Sequence, residues 1–342
     1  MKRSAVCSSI LSVGFLLLFL IATAGCTRSS DGQSGKGGRI NDIAFSPNGR
    51  FVVLSYSKTG ACFIYKVALD TGNAIRLTRA KMGCESSPTI SADGKLIAYA
   101  YAEGRGAHSH ILITDVDGMN TRSLAKSESD DFFPMFTANG RQIYFARSRF
   151  FGNYSPIAQP HQHEWDIFSA DIDGTSVRQL THENLYDMSK PSLSPDGKTL
   201  LFATHAYETG AQFVIYSLEQ PAKPKRSLQP HVPGEPKLSG RPSPEFNNPN
   251  YLPDGSIVFM AASQGKSGFD YDVYRMEIAT GSLEKLTSDN GYSTGLRISP
   301  DGKTAMFLKW KLDWHKTPAE SELYSLDLQT QKVTLFKISG LD

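Results

Sequence analysis

The chain has 342 residues, 36 lysines and arginines against 34 aspartates and glutamates, and a formal charge of +2 at pH 7. That near-balance argues against nucleic acid as a partner, because phosphate binding needs clustered positive charge. Beyond one apolar stretch at the start, no run approaches the roughly twenty residues of a spanning helix.

Met1-Lys2-Arg3 is a positive n-region, and Ile10 to Ala24 is an apolar h-region too short for a comfortable membrane span. Residues 1–25 therefore read as a signal peptide. The run ends in Thr23-Ala24-Gly25-Cys26, which resembles the lipobox of bacterial lipoproteins and implies cleavage before Cys26 and acylation of its sulfur. Loss of Lys2 and Arg3 with the signal leaves the mature chain at zero formal charge. Residues 26–39 then form the lipidated cysteine and a polar Gly/Ser tether. Thr27, which is not aspartate, favours outer-membrane sorting by resemblance to enterobacterial lipoproteins, so the body is expected in the cell envelope, facing the periplasm.

From residue 40 onward one hairpin recurs: FSPNGRFVVLSY (45–56), ISADGKLIAYAY (90–101), FTANGRQIYFAR (136–147), LSPDGKTLLFAT (193–204), YLPDGSIVFMAA (251–262) and ISPDGKTAMFLK (298–309). In Ser-Pro-Asp-Gly the proline presets φ for a type I turn, and the glycine takes the left-handed position of the bulge that follows. A period-2 strand leaves each turn. After most copies comes a second pair, as in HILITDVDGMNTRSLA (110–125), DIFSADIDGTSVRQLT (166–181) and DVYRMEIATGSLEKLT (272–287). Four short strands per unit is the pattern of a propeller blade. The expected fold is all-β: a six-bladed β-propeller of four-stranded antiparallel blades over residues 40–338.

These hairpins, with the Asp-x-Asp-Gly turns and Arg-x-Leu-Thr endings, resemble the TolB-like, WD-type propeller repeats of bacterial envelope proteins over essentially the whole mature body. The resemblance is specific for fold and says little about function. Gly291-Tyr292-Ser293-Thr294-Gly295 matches a nucleophile-elbow pattern, but that motif needs a strand, a sharp turn and a helix, and Ser293 instead precedes the sixth hairpin. The carboxylate pairs Asp115/Asp117 and Asp171/Asp173 read as turn chemistry, since a calcium loop needs more oxygen ligands.

In this topology the Ser-Pro-Asp-Gly turns emerge on one face and the irregular loops on the other. The acids Glu85, Asp130, Asp131, Asp187 and Glu245 are expected to ring the channel mouth there, with either a structural or a binding role. The insertion 148–164 and the loop 310–322 bring aromatic candidates for an interface: Phe150, Phe151, Tyr154, Trp165 and Trp314. His161 and His163 lie at the end of the insertion, on a loop, and a metal there needs a third ligand, with His182, His205 or Asp187 as candidates. Cys62 and Cys84 fall at the same end of neighbouring blades, a candidate disulfide in a compartment where disulfides persist.

The resulting expectation is a non-enzymatic, lipid-anchored binding module without a cofactor, which presents its loop-rich face to an envelope protein, a peptide or a glycan. The alternative is a metal-dependent lyase or hydrolase with a histidine-containing site at the channel mouth; oligogalacturonate lyases are related propellers that use histidines with manganese.

Overall fold

The computed structural model describes residues 38–341 except 81, 105–106, 126, 154–159, 207–209, 221–224, 233–245, 264–269, 289–290 and 312–319. Cys26 with its leader, Tyr154, Glu245 and Trp314 thus fall outside the described residues.

All regular elements among the described residues are β-strands. The first eight are β1 (Arg39–Phe45), β2 (Phe51–Lys58), β3 (Ala61–Ala68), β4 (Ala74–Arg76), β5 (Cys84–Ile90), β6 (Leu96–Ala102), β7 (His110–Asp115) and β8 (Arg122–Ser123). Next come β9 (Asp130–Phe136), β10 (Gln142–Gly152), β11 (His161–Asp171), β12 (Arg178–Gln179), β13 (Ser192–Leu193), β14 (Thr199–Ala206), β15 (Gly210–Ser217) and β16 (Arg226–Leu228). The last eight are β17 (Phe246–Tyr251), β18 (Ile257–Ser263), β19 (Asp270–Met276), β20 (Leu283–Lys285), β21 (Ser293–Ile298), β22 (Thr304–Lys311), β23 (Glu320–Asp327) and β24 (Val333–Leu335).

The repeated turns are built alike. In LSPDGK the Ser194 hydroxyl donates to Asp196 Oδ1 at 2.5 Å, and that oxygen accepts the Lys198 N–H at 3.0 Å. In ISPDGK Ser299 and Asp301 repeat the contact at 2.6 Å. The glycine that follows takes positive φ, 71° at Gly197 and 70° at Gly302, a conformation that side chains disfavour.

The expectation of six separate four-stranded blades is corrected by the sheet topology. Four four-stranded antiparallel blades stand as separate sheets, β9–β12, β13–β16, β17–β20 and β21–β24, whereas β1–β8 form one eight-stranded sheet. The join is local: Cys62 on β3 pairs in parallel with Cys84 on β5, and the Cys62 N–H donates to the Gly83 carbonyl at 3.0 Å. The two sulfurs form a disulfide, with Cα atoms 4.3 Å apart. Two strand groups that side-chain packing alone would hold apart thereby share backbone hydrogen bonds.

Neighbouring sheets pack face to face, which explains why inner strands such as β2 and β6 are buried on both sides rather than alternating. Phe213, Phe246 and Phe259 interlock between β13–β16 and β17–β20. The ring closes where Ile40, Ile43 and Leu54 pack on Met306, Leu308 and Leu323. Ser321 Oγ both accepts the Ile40 N–H at 2.8 Å and donates to the Ile40 carbonyl at 2.9 Å. The outer strand β24 pairs with β23 of its own sheet, and beyond it Ser339 bridges to Asn73 beside β4 of the first sheet. Gly118 and Gly174, the glycines of the Asp-x-Asp-Gly turns, press on the carbonyls of Leu77 and Leu124, where a Cβ would come within 2.2 and 1.8 Å. Those turns are packing contacts between successive strand groups.

Candidate functional site

Of the segment expected as a loop, 148–164, the described residues are mostly strand. β10 and β11 run on as a paired arm through Phe150 opposite His163 and Gly152 opposite His161. His161 and His163 thus sit on β11, a correction to their placement on a loop. A crossover segment ties down the base of the arm: Trp165 N–H donates to the Leu185 carbonyl at 2.9 Å, and Leu185 N–H donates to the Trp165 carbonyl at 3.0 Å. Ser148 Oγ adds a bond to the His163 carbonyl at 2.7 Å.

Two kinds of aromatic surface result. Trp165, expected as an exposed anchor, is instead 1% exposed, stacked on Phe133 with ring centroids 5.8 Å apart. Strand alternation turns it inward. Phe150, Phe151 and Tyr186 remain 38%, 44% and 40% exposed. Between Phe150 and Tyr186 lie the imidazoles, with His161 and His163 centroids 3.9 Å apart and His163 4.4 Å from the Tyr186 ring. His163 Nδ1 donates to the Tyr186 carbonyl at 2.8 Å, and burial holds the imidazole below its ordinary pKa. Among the described residues no group of three or more His, Cys, Asp and Glu side chains is arranged to hold a metal ion, so no third ligand joins this pair there.

At the base of the arm Arg149, Glu164, Gln179, His182 and Asn184 line an open polar depression of about 520 Å³. Asp166 anchors it from below, accepting Arg149 Nη2 at 2.9 Å, Thr181 Oγ1 at 2.7 Å and the Glu183 N–H at 2.7 Å.

The acids expected at the mouth are largely structural. Asp131 is 1% exposed and takes Arg147 in two bonds of 2.6 and 2.9 Å; burial still raises its carboxyl above the ordinary range. Asp130 accepts the Ser109 N–H at 2.9 Å. Asp187 is bonded to the His205 ring at 2.7 Å and to its N–H at 2.6 Å; burial works to raise its pKa, and these contacts outweigh it. Glu85 is buried, accepts the Ile64 N–H at 3.0 Å and the Thr78 hydroxyl, and burial pushes its pKa to about 7. Glu85, Asp131 and Asp187 therefore do not form an open ring of negative charge.

One device recurs that the Leu-Thr endings at 77–78, 180–181 and 286–287 foreshadow without explaining. The threonines Thr78, Thr181 and Thr287 accept the N–H of Ile64, Ile167 and Val273 at 3.1, 2.8 and 2.9 Å. Each hydroxyl then donates to a buried carboxylate, Glu85, Asp166 or Asp272. The carboxylate satisfies the hydroxyl that satisfies the backbone. At the first position the acid comes from the following strand group, since Phe63 occupies the place of Asp166.

At the centre of the ring, Asp42 on β1 bonds Lys190 Nζ at 2.7 Å through Oδ2 and Arg297 Nη2 at 2.9 Å through Oδ1. Lys190 also donates to the Pro88 carbonyl at 2.9 Å, so four strand groups converge here. The bulges in β1 and β21 lie beside Asp42 and Arg297 and re-aim these side chains, which simple alternation would not place together. Ser293 starts β21 and is buried in it, without the turn a nucleophile elbow requires.

The chain is 26% identical over 179 residues to the Tol-Pal system protein TolB of Francisella tularensis subsp. tularensis, covering 51% of this chain and 38% of that protein. It thus spans about two fifths of the length of the curated TolB relatives it matches. Among solved structures, TolB from Acinetobacter baumannii superposes with a TM-score of 0.56 at 17% identity, over 88% of this chain and 64% of that one. An oligogalacturonate lyase in complex with manganese superposes with a TM-score of 0.55 at 15% identity, over 86% and 75%. At these identities the two structures speak for the fold. Residues 27–232 match the family described as the TolB beta propeller domain, and the chain accordingly belongs to that family.

Proposed function

We propose that this protein is a non-enzymatic binding module of the bacterial cell envelope, held to the membrane by lipid on Cys26, which captures an envelope protein or peptide with the β10–β11 arm. One observation carries the reading: Phe150 and Phe151 are exposed on an arm whose base is tied through Trp165 and Leu185, with Tyr186 exposed beside them on the crossover that ties it. Exposed aromatic side chains on a rigid support lose little entropy when covered, which makes them effective anchors. The likeness to TolB of the Tol-Pal system supports an envelope protein as the partner class.

The second reading, a metal-dependent lyase or hydrolase, draws on the likeness to a manganese-bound oligogalacturonate lyase. For it the histidine pair on β11 would need ligands from outside the described residues.

In-membrane crosslinking followed by affinity capture separates the two. Phe150→Ser with Phe151→Ser is expected to abolish capture of crosslinked partners while the thermal unfolding midpoint stays put. Unchanged partners from this double variant would sink the arm as the binding surface. Stoichiometric transition metal in the purified wild type, lost on His161→Ala with His163→Ala, would move the reading to the enzyme.

A further inference from the structure

The charge cluster at the ring centre is not neutral. Asp42 is the one carboxylate among the described residues paired with Lys190 and with Arg297, so two cations share one anion. The side chains keep only 4%, 11% and 12% exposure for Asp42, Lys190 and Arg297. A surplus buried positive charge is costly unless a counter-charge reaches it. The donors are also incompletely used. Arg297 spends Nη2 on Asp42 and Nη1 on the Leu296 carbonyl at 2.6 Å, while its buried Nε–H has no hydrogen-bond partner. Lys190 has three N–H bonds and spends them on Asp42 and on the Pro88 carbonyl.

We propose that Lys190 and Arg297 form an anion-binding site inside the ring, which takes one small singly charged anion, a carboxylate or a halide, as the second counter-charge beside Asp42. The chemistry selects the ligand. One surplus positive charge calls for one negative charge, and two N–H donors with a carboxylate at their side favour a small anion over a multiply charged phosphate, which Asp42 would repel. The residual exposure of all three side chains gives an ion access from the channel. Lys190, whose pKa burial and the neighbouring Arg297 lower to about 8 against the pull of Asp42, is held in its charged form more firmly once an anion is present. This site does not depend on the interaction proposed for the β10–β11 arm.

The test is chloride-35 line broadening on the full-length protein in detergent at constant ionic strength, with a bulky sulfonate as the balancing anion. Wild type is expected to broaden the chloride resonance, and acetate should relieve the broadening by competition if a carboxylate fits the same place. Arg297→Gln and Lys190→Met are each expected to weaken the effect by about tenfold or more, as loss of one charged donor does. Asp42→Asn should strengthen it, because removing the resident carboxylate raises the surplus charge. Should both cation variants fail to fold, the pH profile of the wild type decides: broadening should decline as pH rises above about 8, because Lys190 without an anion loses its proton there and a bound anion shifts that loss upward. Broadening that shows no decline with rising pH, or that Lys190→Met and Arg297→Gln leave unchanged, would overturn the site. A chloride resonance in wild-type protein no broader than in buffer would do the same.

Discussion

Lys190 Nζ and Asp42 Oδ2 meet at 2.7 Å although 148 residues of chain separate them. The bond ties the first inner strand to the segment that leads into β13, across the centre of the ring. It also fixes the sign of a pH effect. Lys190 is charged in the unfolded chain up to an ordinary value near 10.5 but in the folded protein only up to about 8. Between these values the unfolded state binds the extra proton, so the contribution of Lys190 makes stability rise with pH from about 8 to 10.5. Lys190→Met should lack that slope. Urea midpoints of the two proteins at pH 7.5 and 10 check it; parallel changes would refute the assignment.

Glu85 gives the opposite slope at lower pH. Its pKa of about 7 lies above the ordinary 4.5, so the folded state keeps a proton that the unfolded state releases, and stability falls as pH rises through this window. Glu85→Gln is neutral throughout and should be the flatter of the two. Denaturation at pH 5 and pH 7.5 gives the comparison, and an equally steep fall in the variant would exclude Glu85 as its source.

The threonine device predicts a local cost. Thr181→Val leaves the Ile167 N–H and one Asp166 oxygen without their shared hydroxyl, and should destabilise by about 1–3 kcal/mol. Thr175→Val, on an exposed turn, should change stability by about 0.5 kcal/mol or less. Equal losses from the two would mean that the buried relay does not matter.

Trp165 and Phe151 are two positions from one arm with opposite fates. Trp165→Ala removes a buried ring and should cost about 3–5 kcal/mol. Phe151→Ala should change stability by no more than about 0.5 kcal/mol while weakening partner capture. Thermal unfolding and capture measured side by side distinguish them, and a large loss of stability in Phe151→Ala would contradict its exposure.

The disulfide closes a segment with a sequence separation of 22 between Cys62 and Cys84. Reduction, or Cys62→Ser with Cys84→Ser, should lower stability by about 3 kcal/mol through the unfolded state. Mass analysis without reductant should find no alkylatable thiol at either cysteine. Two free thiols in protein taken from the envelope would refute the link.

Turns were the legible part of this fold. Ser-Pro-Asp-Gly fixes dihedrals through proline and glycine and a hydroxyl-to-carboxylate bond within a few residues, so local sequence suffices. The merging of β1–β8 into one sheet was not legible, because it depends on a single parallel pairing between Cys62 and Cys84. Trp165 misled for a related reason. Beside two histidines and a glutamate it looked like a loop residue, and only the strand pairing of Ser148 with Trp165 turns it inward. The acids Glu85, Asp131 and Asp187 were found by position, but their partners Thr78, Arg147 and His205 are set by register. Lys190 and Arg297 gave no signal at all: each sits within a repeat whose other copies carry different residues there, and their meeting with Asp42 exists only in the closed ring.

The closing seam has a consequence for how the edge of the sheet is protected. Ser339 N–H donates to the Gly72 carbonyl at 3.0 Å, and its own carbonyl accepts the Ala74 N–H at 2.8 Å. The outer edge of the first strand group is therefore completed by a segment 266 positions further along the chain. Until that segment docks, the first strand group has an uncovered margin, exposed to proteases and to pairing with other edges. Protection of the first strand group is thus coupled to a contact with the far end of the repeat array: without the Ser339 segment, every repeat is present and one edge stays bare.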